Sequence, residues 1–277
     1  MDEREREETV RQIARKGDPD RFLAALFAPR EARPDLYALI AFNVELSGIP
    51  ERVTEPELGA IRLQWWRDAL VKAAKGERTG HPVVDALSGP LAQRRLSRER
   101  LEAMIDARSF DVAVKIVMDW PSLETYLAGT SGALFALAGL RLGADEARLA
   151  SAAHKAGIAY GLTGLMRALP RHTSQGRVLL PADLLRAHGI SPETVLARTA
   201  SEGLYAALAG MRAKAGKALG EARREVAALD PSVQVAFLPL GLVEPYLAAL
   251  ERTHDPLREV VAINPLLRLW RVTRWQP

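Results

Sequence analysis

The sequence predicts an all-α fold, a single-domain helical bundle, on three observations. Apolar residues recur at spacings of three and four through most of the 277 residues. No run alternates β-branched or aromatic residues as a strand would. Pro34, Pro50, Pro121, Pro181, Pro192, Pro231 and Pro256 fall in the gaps between periodic stretches. Hydrophobic residues at 48% and charged residues at 26% give the balance of a globular chain, with no Ser/Gly-rich linker or internal repeat to divide it. One domain of about ten helices is expected.

Each element has a local reason. The chain opens Asp2-Glu3-Arg4-Glu5-Arg6-Glu7-Glu8, without the apolar stretch of a signal peptide and with acids that a transit peptide avoids. Leu36, Leu39, Ile40, Phe42, Val44 and Leu46 are apolar almost all round, as in a buried central helix. Leu58, Ile61, Trp65 and Trp66 begin another helix, which Lys72, Lys75 and Gly76 close. Ser97 is an N-cap for the helix through Leu101, Met104 and Ile105, with Glu99 near its positive dipole end. Leu127–Leu140 is the most apolar stretch, near the length of a core helix and short of the ~20 residues a bilayer span needs. A soluble, cytoplasmic protein is expected, at most peripheral to the inner face of a membrane. Leu204, Leu208, Met211, Ala215, Leu219, Ala222, Val226 and Leu229 trace one face of a long helix.

Two helices carry small residues on one face. Gly157, Gly161, Gly164 and Ala168 follow one another by four, three and four on a helix expected over about 145–169. Interior glycines cost roughly 1 kcal/mol each relative to Ala, so something must compensate. Gly129, Gly132, Ala136, Gly139 and Gly143 repeat the pattern. The two stripes are expected to face each other or a shared cavity.

Residues 251–277 form an amphipathic tail. Ile263, Leu266, Leu267 and Trp270 make an apolar stripe, Arg268, Arg271 and Arg274 step by three beside it, and Trp275 follows. One expectation is a final helix docked on the domain with its arginines toward water. The other is an interfacial helix with Trp270, Arg271, Arg274 and Trp275 at a membrane surface.

Several chemistries are excluded at this level. With no Cys there is no disulfide framework, cysteine zinc site or thiol nucleophile. The net charge of +4 is small and spread evenly, and no nucleic-acid motif accompanies it. His81, His154, His188 and His254 are scattered, without metal-site spacing.

Four segments together resemble one family. They are Arg33–Phe42 (RPDLYALIAF), Gly59–Leu70 (GAIRLQWWRDAL), Ala128–Gly132 (AGTSG) and Gly157–Pro181 (GIAYGLTGLMRALPRHTSQGRVLLP). In order and spacing they look like the squalene/phytoene synthase family over about residues 20–250. The resemblance implies an all-α prenyl-synthase fold around a central cavity. Active members join two isoprenyl diphosphates head to head, with magnesium held by two Asp-rich motifs on facing helices. At the positions matched to those motifs this chain has Ser47 and Glu51, then Gly161, Gly164, Ala168 and His172. Magnesium wants hard oxygen ligands, which Gly and Ala lack and imidazole replaces poorly.

The wording RALPRH at 167–172, followed by VLLP at 178–181, is similar to the non-catalytic branch that includes the mitochondrial complex I assembly factor. The expectation is a protein without catalytic residues, metal or cofactor. It would bind an isoprenoid or lipid, or help assemble a membrane enzyme as a partner of one of its subunits. Phe42, Glu51, Asp106, Asp111, Gly161, Gly164, Arg167, Ala168, His172 and Arg177 are the candidate cavity residues. From the residues alone, His172 reads first as an imidazolium favoured at a helix C-terminus, and Asp106 and Asp111 as a solvated helix face. The alternative is an active prenyl transferase using Mg2+ on displaced carboxylates, drawn from Glu45, Glu51, Glu55, Asp106 and Asp111.

Overall fold

The computed structural model describes residues 2–53, 55–252 and 254–277. The first half contains α1 (Glu3–Gly17), α2 (Pro19–Ala25), α3 (Arg33–Ser47), α4 (Pro56–Ala74), α5 (Pro82–Ala92) and α6 (Arg98–Ala113). The middle contains α7 (Trp120–Leu127), α8 (Ala133–Arg141), α9 (Glu146–Arg167) and α10 (Leu169–Ser174). Then come α11 (Ala182–Ala187), α12 (Pro192–Leu196), α13 (Glu202–Val226), α14 (Pro231–Gln234), α15 (Val243–Glu251) and α16 (Pro265–Arg274). Among the described residues the β structure is one isolated bridge between Ile116 and Val178. The chain is all-α.

Short polar side chains set the helix starts. Asp2, Asp18, Ser97, Asp119, Asp145, Ser191 and Ser201 each accept from the N–H three residues on, typically worth about 1 kcal/mol per cap. Ser97 takes the role its sequence suggests. Gly76, at φ +77°, follows α4 in the left-handed conformation that glycine adopts without strain.

Two apolar clusters make the core. In the first, α3 packs among α1, α5, α6 and α8, and Phe42 meets Trp66 edge-to-face at 5.3 Å. Phe42 is a fully buried core side chain and does not line the cavity described below. The second cluster is built on α9 and α13, which lie along each other. The α13 face predicted from Leu204 to Val226 is buried throughout, while Leu229 lies just past the helix end. Residues Pro231–Glu251 are apolar and long enough for a membrane span by composition alone. They instead form α14, a 3-10 segment over Val235–Leu242, and α15, with Phe237, Leu240, Leu242 and Val243 fully buried.

The small-residue stripes meet at one point. A Cβ on Gly157 would lie 2.5 Å from the Cα of Gly132, so the two backbones touch there. Gly161 faces Leu127 and Ser131, and Gly139 faces Leu149. Gly129 departs from the expected stripe because Ala128–Gly132 wind as a π turn, which turns Gly129 toward Ala107 on α6. Nothing lies within 4 Å of a Cβ on Gly164. Gly157→Ala is therefore expected to destabilise by about 1–3 kcal/mol through overpacking. Gly164→Ala should stabilise by up to about 1 kcal/mol through helix propensity. Urea unfolding of both variants checks this, and shifts of the same sign and size would contradict it.

Candidate functional site

A cavity of about 280 Å³ opens where α3, α9 and α10 converge with the π turn and the α1–α2 junction. Asn43 and Ser47, one turn apart on α3, form one wall. Gly161, Gly164, Ala168 and His172 form the facing wall, and Tyr126, Thr130 and Ser131 come from α7 and the π turn. Arg21, Arg108 and Arg171 reach it from α2, α6 and α10.

Behind this wall lies a buried charge cluster. Arg108 donates to Asp111 at 2.8 Å and to Asn43 Oδ1 at 2.9 Å. Arg177 and the Tyr126 hydroxyl donate to the other Asp111 oxygen at 3.1 and 2.9 Å. Burial pushes the Asp111 carboxyl up. The guanidinium groups of Arg108 and Arg177 and the hydrogen bonds from Arg108 and Tyr126 outweigh it and hold the carboxyl below its ordinary value. Asp111 is thus held in its ionised form by two guanidiniums and the Tyr126 hydroxyl.

His172 is neutral. Burial, then the neighbouring Arg177 and Arg171, lower its pKa from 6.5 to about 4 against the opposing pull of Asp111. The imidazolium expected at a helix C-terminus is overturned by desolvation and two nearby guanidiniums. Its Nδ1 is buried without a protein hydrogen-bond partner.

Other candidate positions fall elsewhere. Asp106 is on the exposed face of α6, where it pairs with Arg67 at 2.6 Å. Helix α3 ends at Ser47 and a 3-10 turn follows over Ile49–Glu51, so Glu51 is carried to the rim and pairs with Arg171 at 3.0 Å. On α3 the side chains that line the cavity are therefore Asn43 and Ser47, and Glu51 is not among them. Arg167 turns away: its guanidinium lies 3.6 Å over the Tyr246 ring and 3.8 Å from Asp20. Arg177 contributes through Asp111, not by lining the wall. Glu45 pairs with Arg52 in a separate groove beside Trp65, Trp66 and His81, and Glu55 is exposed.

Sequence reading missed Asn43, Arg21, Arg108 and Arg171. Asn43 and Ser47 were legible as a polar pair at a spacing of four on an otherwise apolar helix. The arginines carried no such signal, because only tertiary packing brings α2, α6 and α10 together.

The electrostatics decide what the cavity can hold. Its carboxylates, Asp18 on the wall, Glu51 at the rim and Asp111 behind, are paired with Arg21 at 2.9 Å, Arg171 at 3.0 Å and Arg108 at 2.8 Å. Among the described residues no three His, Asp or Glu side chains gather to hold a metal ion. These residues do not fit a magnesium cluster, and the displaced carboxylates of the alternative reading do not converge. What lines the space instead is guanidiniums already paired with acids, hydroxyls and a neutral imidazole that can donate.

A model of the squalene/phytoene synthase family matches residues 14–275. The chain belongs to the squalene/phytoene synthase family. It is similar to assembly factor 6 of NADH dehydrogenase (ubiquinone) complex I from Mus musculus, 29% identical over 268 residues, covering 94% of this chain and 80% of that protein. It is also 29% identical over 192 residues to presqualene diphosphate synthase from Rhodopseudomonas palustris, covering 68% of each. The squalene synthase HpnC from Alicyclobacillus acidocaldarius superposes with a TM-score of 0.77 at 24% identity, covering 90% of this chain and 94% of that one, a likeness of fold. This squalene/phytoene synthase-like chain thus keeps the family's helical frame around a cavity lined by arginines.

Proposed function

We propose that this chain is a non-catalytic member of the squalene/phytoene synthase family that assists the assembly of a membrane enzyme at the cytoplasmic face of the membrane. Complex I is the enzyme its assembly-factor relatives point to. The observation that carries the reading is the neutralised cavity: each carboxylate at the wall is matched by an arginine. Ionising an allylic diphosphate places several negative charges on the leaving group, which a metal cluster ordinarily stabilises. Here the ligands for such a cluster are missing from both walls.

The same cavity suits the anionic headgroup of a lipid or isoprenoid. At about 280 Å³ it is near the lower bound of small-molecule sites. A smaller apolar void among Leu36, Leu39, Ile40, Leu134 and Phe135 shares Arg21 with it. Arg21 borders both spaces and lies 4.2 Å from the Tyr160 ring centroid and 5.1 Å from that of Phe135, standing between mouth and void.

Deleting the gene in its source organism tests the assembly role. Native gels should show assembled complex I depleted, with stalled subcomplexes, and restored by the intact chain. Normal complex I together with loss of an isoprenoid product would overturn the proposal.

A further inference from the structure

The C-terminal helix sits with its polar side inward. Arg268 pairs with the buried Asp20 at 3.0 Å, and Arg271 with Glu244 at 3.4 Å. Val272 is fully buried, and Trp275 tucks against Gly241. The outer face carries Leu266 at 77% exposure and Trp270 at 53%, with Leu267 and Leu269 also exposed. At 100° per residue Leu266, Trp270 and Arg274 lie along one line, flanked by the two other leucines. Neither sequence expectation anticipated this. The docked helix was to turn its arginines outward, and two of the four side chains expected at a membrane, Arg271 and Trp275, belong to the docking contact. Isolated exposed leucines are ordinary, but four large apolar side chains on one ten-residue helix make a patch.

We propose that the outer face of α16 docks on an anionic lipid surface. Residues 260–277 contain no Asp or Glu, so nothing in the segment repels anionic headgroups. Exposed Arg274 lies one turn from Trp270, which places a cation and an indole where headgroups would be and the leucines at the acyl boundary. Leu26 and Phe27, exposed just after α2, follow the helix on which α16 packs. A second copy of the chain fits less well, since the same face on a partner would bring Arg274 and no acid from residues 260–277 to meet it. The attachment is weak, because one short helix on which, among the described residues, Arg274 is the cation without an acidic partner gives a salt-sensitive contact. This surface is separate from the cavity and does not depend on the assembly reading.

Vesicle flotation of the full chain tests the proposal. The probes are vesicles of equimolar phosphatidylcholine and phosphatidylglycerol, and of phosphatidylcholine alone. The chain should float with the anionic vesicles and less with the neutral ones. The double variant Leu266→Glu, Trp270→Glu should bind at least about tenfold more weakly, and Arg274→Glu severalfold more weakly. All variants should keep the parent melting temperature, because the altered side chains face solvent. Equal flotation of parent and double variant would overturn the proposal, as would failure of the parent to float. A concentration-dependent dimer abolished by the double variant, in place of flotation, would assign the face to self-association.

Discussion

Asp111→Ala should destabilise the protein by about 3–5 kcal/mol, the cost of leaving buried charges without their partner. Asp111 is 5% exposed and holds Arg108, Arg177 and the Tyr126 hydroxyl together. Removing it strands two guanidiniums in a low-dielectric region at the junction of α6, α7 and the segment after α10. Asp111→Asn should lose less, since an amide oxygen still accepts one of the hydrogen bonds. Chemical denaturation of the two variants reads the difference. A loss below about 1 kcal/mol for Asp111→Ala would show that the cluster is solvated rather than structural.

Acid should destabilise the fold before its carboxylates titrate, through His172. In the unfolded chain this imidazole binds a proton below its ordinary value of 6.5, whereas the folded site resists protonation until about pH 4. The unfolded state therefore holds more protons in that window, and stability falls as pH drops from 6.5 to about 4. At 1.36 kcal/mol per pH unit the loss from this group alone approaches roughly 3 kcal/mol. Asp111 works in a separate range. Its lowered pKa contributes stability above the ordinary carboxylate value and loses it only as pH falls through the depressed one. His172→Gln should flatten the stability profile between pH 6.5 and 4 while leaving the steeper acid limb. Parallel profiles for parent and variant would show that His172 charges freely in the fold.

Much of the frame was legible because helices announce themselves locally. The Leu204–Val226 face, the Ser97 cap, the Gly76 stop and the all-round apolar α3 are each decided within a few residues. The π turn at Ala128–Gly132 was not, since the contact that goes with it, Gly129 against Ala107 on α6, is made across the fold. The cavity was half legible. Gly161, Gly164, Ala168, Ser47 and His172 lie on its walls, at positions the family resemblance singled out. Glu51 lies off the wall because α3 ends at Ser47 and the chain passes into a 3-10 turn that includes Pro50. Asp106 and Asp111 are five residues apart on one helix, and periodicity could not say which of them pointed inward. The orientation of α16 was hidden for another reason. Its amphipathic pattern identifies two faces, but only Asp20 and Glu244, remote in sequence, determine that the basic one is buried.

The central claim is that an arginine-neutralised cavity does not run magnesium-dependent diphosphate chemistry. Its most direct test is the release of inorganic diphosphate from farnesyl diphosphate by the purified chain with Mg2+. The account predicts a rate no higher than that of substrate and Mg2+ without protein. Magnesium-dependent release above that background would contradict it.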